Sequence, residues 1–338
     1  MKCVFAVLVA FLLCISKFAE GRFASMARQL SVVQPDLVLW HEGYKATLGE
    51  LFQPQAWDDY TSAIIDFATA NNVGTVMISV IFASTTDTLP PDVKGYVQKF
   101  IDAAEAASLK PGLVLCFGTE TTVAMAAEYL ADFTHTHPLL IGVDVENFVG
   151  ESKPYPELKA ATIMETFVTP FANALAAKGV AYSEITPIGG MAVNPSWGAP
   201  MVNVYEYYSD GAVLNKLFAS HQDDALGAFE AFQAALANPT YDIVKPDKIG
   251  AREGNKIAGW PAFAISQLGS DCLGGEAAPP GKANPCGIAN IFGGWQLDSF
   301  KQFLGLYQNA YSPERIVIYQ ADQLPCKWLA AGCPALAV

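Results

Sequence analysis

The chain has 338 residues, 52% of them apolar and 16% charged, a composition that supports a large buried core and excludes a disordered chain. Its formal net charge of −13 argues against nucleic acid and anionic membrane surfaces as partners, because both require basic patches. Neutral or cationic partners suit it better.

Met1 and Lys2 supply a short positive start, residues 4–15 are a nearly unbroken apolar run, and Ala19 and Gly21 follow at small-residue spacing. That pattern predicts a secretory signal peptide over residues 1–21 and a mature domain over 22–338. The alternative, an N-terminal anchor helix, needs ~20 apolar residues, more than the run offers. No later stretch reaches that length, so a secreted, extracellular protein is expected. Asn194-Pro-Ser196 and Asn238-Pro-Thr240 carry proline at the position that blocks N-glycosylation.

Strand-like and helical stretches then alternate. Residues 36–40 form a short apolar run, and 57–71 carry Ile64, Ile65, Phe67 and Ala68 at helical spacing. Residues 75–82 are apolar without alternation, as strands buried on both faces are. Pro90-Pro-Asp92 opens a helix to about residue 108. The cycle repeats with strands at 112–117 and 139–146, helices at 122–133 and 163–179, and strands at 181–188 and 201–208, with little room for a helix between the last two. A helix at 225–237, a strand at 260–267, a helix at 297–308 and a strand at 315–320 complete the series. Eight strands alternating with helices predict an α/β fold, a single-domain (β/α)8 TIM-type barrel. The competing open doubly wound sheet would want a G-x-G-x-x-G turn after an early strand, and none is present.

Seven cysteines occur, and Cys3 and Cys14 leave with the signal peptide. Cys272 and Cys286 bracket a Gly- and Pro-rich loop, and Cys326 and Cys333 bracket the C-terminal turn. Both spacings suit local disulfides in an oxidising compartment. Cys116 lies in the apolar run 113–117 and reads as a buried thiol. No zinc-type spacing of Cys or His and no cofactor fingerprint is visible, so no metal or cofactor is expected. His135 and His137 precede the fourth strand, on the barrel face opposite the usual active site, and read as surface residues.

In such barrels the chemistry lies at the C-terminal ends of the strands. The strongest signal there is Gly142-Val-Asp144-Val-Glu146-Asn147. Asp144 and Glu146 are two apart, on one strand face, with ~7 Å between α-carbons. Together in a low-dielectric interior they cannot both ionise cheaply, so one becomes a candidate general acid. The plainer reading is a polar pair at the barrel rim. Glu206 in Tyr205-Glu206-Tyr207 offers a further carboxylate. Trp40, Trp295, Tyr205, Tyr207 and Asn147 fall near predicted strand ends or loops, where flat rings could stack on a sugar and the amide could bond it. Ordinary core packing is the alternative for each ring.

These residues resemble family 18 glycoside hydrolases, the chitinases and their lectin-like relatives, whose fourth strand carries Asp-Gly-x-Asp-x-Asp-x-Glu. Residues 113–118, 202–207 and 293–298 resemble that family's third strand, sixth strand and late Gly-Gly-Trp segment. The resemblance implies a barrel acting on or binding a neutral glycan such as a chito-oligosaccharide. It also admits a last strand at 288–295, which would make 315–320 an extra element. Anchored on Gly142, the motif has Phe148 at the catalytic glutamate position, which implies a lectin-like binder. Shifted by two, it ends on Asp144-Val-Glu146, which implies an active enzyme with Glu146 protonating the leaving oxygen and Asp144 assisting. A secreted enzyme of unrelated, even oxidative, chemistry on a small ring-containing molecule is the third reading.

Overall fold

A computed structural model describes residues 36–41, 54–82, 91–117, 122–144, 164–189, 201–203, 217–218, 220–237, 252–253, 256–257, 260–265, 292, 294–319, 321 and 324–332. Eight parallel strands close into a barrel: β1 (Leu37–His41), β2 (Val73–Phe82), β3 (Lys110–Phe117), β4 (Leu139–Asp144), β5 (Tyr182–Gly189), β6 (Met201–Asn203), β7 (Trp260–Ala264) and β8 (Ile316–Tyr319). Each strand pairs with its chain neighbour, and β8 returns to β1 through Leu37–Ile316, Val38–Val317, Leu39–Ile318 and Trp40–Tyr319. The (β/α)8 architecture expected from the alternating pattern is therefore present. Ile316–Tyr319 is the closing strand, and Trp295 lies in a turn, so the last-strand placement suggested by the family resemblance is corrected.

Six helices are described: α1 (Pro54–Ala70), α2 (Pro91–Ala106), α3 (Thr122–Ala131), α4 (Thr169–Lys178), α5 (Ala225–Ala237) and α6 (Leu297–Tyr311). Two of them start at proline, which has no N–H to leave unsatisfied in a first turn. A π turn, Met164–Val168, leads into α4. That helix stops at Gly179, whose φ of 72° is the left-handed conformation that glycine adopts most cheaply. A short antiparallel ribbon, Arg252–Glu253 with Lys256–Ile257, had no counterpart in the sequence reading.

Strand alternation divides the residues between two environments. His41 meets Phe100 of α2, and Phe263 of β7 meets Phe303 and Tyr307 of α6, so these positions face the helices. Leu39, Ile78, Leu115, Ile141 and Ile318 belong to the same helix-facing set and are buried. Trp40, Ser79, Gly112, Gly142, Thr186 and Tyr319 take the alternate positions, toward the barrel axis. Space there is limited. A Cβ on Gly112 would lie 2.7 Å from the Leu140 carbonyl oxygen and 2.8 Å from Met77 Cγ. One on Gly142 would lie 3.0 Å from Ile188 Cδ1 and 3.2 Å from Val114 Cγ2. Glycine lets neighbouring strands fill the axis with larger side chains.

Under α5 and α6 the core becomes aromatic. Phe292 packs 4.7 Å from Phe218, 4.8 Å from Phe300 and 5.1 Å from Trp295, between ring centroids. Trp328 stacks on Phe300 at 5.0 Å and on Phe67 of α1 at 6.4 Å, joining the end of the helical ring to its beginning.

Candidate functional site at the strand C-terminal ends

The described part of the mouth is its floor. Trp40 ends the interior-facing run of β1 and Tyr319 that of β8, and their rings pack with centroids 4.4 Å apart. The Trp40 indole N–H donates to Ser79 Oγ of β2 at 2.7 Å, a buried bond that fixes the plane of the ring. Ser79 escaped the sequence reading. Its signal was one hydroxyl in the otherwise apolar run Val76-Met-Ile-Ser79-Val-Ile81, at a position whose parity matches the interior.

Across the barrel, β4 reaches Asp144, which lies level with Cys116 of β3 and Ile188 of β5. It follows Gly142 by two residues and therefore occupies the same strand face. Asp144 is the last residue of β4, Leu139–Asp144. Glu146, Asn147, Tyr205, Glu206 and Tyr207 lie outside the described residues, as do Cys272, Cys286 and Cys333. Cys326 is disulfide-bonded, and its pairing with Cys333 stays a proposal.

Two aromatic candidates need correction. Trp295 is 0% exposed: its N–H donates to the Phe218 carbonyl at 3.0 Å, its own carbonyl accepts from Trp328 Nε1 at 2.9 Å, and phenylalanines pack its ring. It is a core residue that links the segments flanking α5 and α6, so no sugar can stack on it. Trp40 is 2% exposed, with its N–H engaged and Tyr319 against its ring. It supports the mouth from below. The expectation failed in both cases for one reason: a tryptophan near a strand end looks the same in sequence whether its ring turns into the core or out to a ligand.

The opposite, N-terminal face is built for stability. Gln98 of α2 bonds both the N–H and the C=O of Thr134, at 3.0 and 2.8 Å. Glu105 accepts from the backbone N–H of Thr136 and His137 at 2.6 and 2.8 Å. Burial pushes the Glu105 carboxyl up, but these N–H groups, the Thr136 hydroxyl and the His137 imidazole outweigh it and hold it below the ordinary carboxylate range. The His135–His137 segment is thus tied to α2, in agreement with its reading as a surface element. Among the described residues no cluster of His, Cys, Asp or Glu could hold a metal ion, and no helix is long and apolar enough to cross a membrane.

No protein-family profile matches the sequence, and no curated protein matches it. Solved structures do resemble the fold. A glycoside hydrolase of subfamily 5_18 from Streptomyces cattleya, in complex with Manβ1-4GlcNAc, is 13% identical with a TM-score of 0.49, over 88% of this chain and 79% of that one. A family 5 glycoside hydrolase from Prevotella bryantii, in complex with a xyloglucan tetradecasaccharide, is 12% identical with a TM-score of 0.44, over 86% and 90%. A phospho-2-dehydro-3-deoxyheptonate aldolase from Thermotoga maritima is 10% identical with a TM-score of 0.35, over 83% and 71%. The fold assignment here rests on the chain's own strand register.

Proposed function

We propose that the barrel mouth takes a neutral glycan, with a chito-oligosaccharide as first choice, and hydrolyses it, and that the protein does this after export from the cell. The observation that carries the reading is the position of Asp144 at the C-terminal end of β4, in the closed barrel where such enzymes place their chemistry. Glu146 would protonate the leaving oxygen, with Asp144 or Glu206 assisting, and Asn147, Tyr205 and Tyr207 would line the sugar. The net charge of −13 supports an uncharged ligand over a phosphorylated one.

One observation favours a second reading, glycan binding without hydrolysis. Gly142 is the β4 residue pressed between Val114 and Ile188, which supports the motif register anchored on that glycine. In that register Phe148 stands where the catalytic glutamate would be. Turnover separates the two readings. With chitotetraose as substrate, Glu146→Gln should lower hydrolysis by ~10²–10⁴-fold while the melting temperature holds. Binding of chitotetraose with no hydrolysis by the unaltered protein selects the second reading. Hydrolysis unchanged in Glu146→Gln removes Glu146 from the mechanism.

A further inference from the structure

The barrel closes where its last strand meets its first, over four paired positions. β8 is four residues long, and it meets β7 through Val317–Ala262, Ile318–Phe263 and Tyr319–Ala264. Among the described residues, a charged side chain reaches across this end of the barrel. Arg315 stands immediately before β8 at an interior parity, and its side chain is only 19% exposed. Its Nη1 donates to Glu184 Oε2 of β5 at 2.8 Å, and its Nε donates to Asp36 Oδ2, just before β1, at 3.3 Å. Its guanidinium carbon lies 4.2 Å from the centre of the Trp260 ring of β7. Among the described residues the buried Trp260 indole N–H has no acceptor, and the guanidinium lies over the face of the ring.

The anchor at β1 is itself held. A Cβ on Gly74 of β2 would come within 2.9 Å of Asp36 Oδ1, so the carboxylate lies directly over this glycine. The Ile316 N–H donates to the Asp36 carbonyl at 3.0 Å, which joins the same two chain segments through the backbone. A planar cation with a fork of donors holds two carboxylates and an aromatic face in a fixed geometry, whereas an ammonium offers its three donors from a single point.

We propose that Arg315 is the clasp of the barrel: one guanidinium joins β1, β5, β7 and β8 at the N-terminal floor and keeps the β8–β1 seam shut. The clasp sets how often that seam opens. The inference is independent of what the mouth binds.

Native-state hydrogen exchange on the full-length mature protein tests it, comparing the unaltered chain with Arg315→Lys, Arg315→Met and Gly74→Ala. The amides of Leu37–His41 and Ile316–Tyr319 should lose about ten-fold or more of their protection in Arg315→Met, the scale of one charge-assisted contact, and less in Arg315→Lys. The amides of β2 to β4 should keep theirs. Gly74→Ala, which displaces only the Asp36 carboxylate, should loosen the same seam more weakly. Unchanged protection at β1 and β8 in Arg315→Met would overturn the proposal, and so would a uniform loss across all strands. If Arg315→Met does not fold, Arg315→Lys and Gly74→Ala decide by the same pattern.

Discussion

The two halves of the barrel solve the same packing problem with different side chains. From β2 to β4 the strands run six to ten residues, the described residues they turn to the helices are mainly aliphatic, and neighbouring helices are linked at the surface by Lys99–Asp58 and Lys178–Glu128 at 3.0 and 3.1 Å and by Lys94–Asp132. From β6 to β8 the described strands run three to five residues, and phenylalanine, tyrosine and tryptophan fill the space beneath α5 and α6. A long strand brings its own ladder of hydrogen bonds and accepts small, regular neighbours. A short one leaves more of the helix layer to be supported by large rings, each with a large area to bury. The first half should therefore resist added volume, and the second should suffer most from removed volume.

The largest effect should come from Phe303→Ala. Phe303 meets Phe218, Phe263 and Phe292 within 5.8 Å, and its loss should cost about 3–5 kcal/mol of stability, measured by denaturant unfolding. A cost under about 1 kcal/mol would show that the rings rearrange freely and that the contrast between the halves is false.

Gly112→Ala probes the other half. The added methyl meets a backbone oxygen that cannot swing aside, so a loss of about 1–3 kcal/mol is expected in the same measurement. A neutral result would show that β3 and β4 can separate at little cost.

The smallest effect concerns the ties on the N-terminal face. The carboxyl of Glu105 is held below its ordinary value, so its contribution is present above the unfolded-state pKa and disappears as pH falls through the lower folded-state one. Glu105→Gln should cost about 0.5–1 kcal/mol at neutral pH, because the amide oxygen can still accept both N–H groups but carries no charge. The two proteins should converge in acid, below the ordinary carboxylate range. A difference that persists or grows in acid would contradict this. The exposed lysine pairs on the same half belong to a class typically worth about 0–1 kcal/mol each.

Much of the fold was legible because parallel strands and amphipathic helices leave different periods in the chain. The uninterrupted run at 75–82 and the spaced Ile64, Ile65, Phe67 and Ala68 marked β2 and α1 correctly. Register was not legible in that way. Arg315 reads as an ordinary charged residue before a strand, and only closure of the barrel brings it against Asp36 and Glu184, far away in sequence. Trp295 showed the converse: position near Gly-Gly suggested a ligand contact, while long-range packing with Phe218 and Phe303 placed it in the core. Of the carboxylates proposed for the site, Asp144 alone lies among the described residues, at the end of β4; its pairing with Glu146, expected from a period of two, belongs to the proposal.

The proposal that the strand C-terminal ends form a neutral-glycan site around Asp144, at the end of β4, is tested most directly by crystals of the Glu146→Gln variant soaked in chitotetraose. The expected result is sugar density at the mouth, above Trp40 and Tyr319, with a sugar hydroxyl or ring oxygen in hydrogen-bond reach of Asp144. Density at any other surface, or an empty mouth at saturating ligand, would contradict the claim.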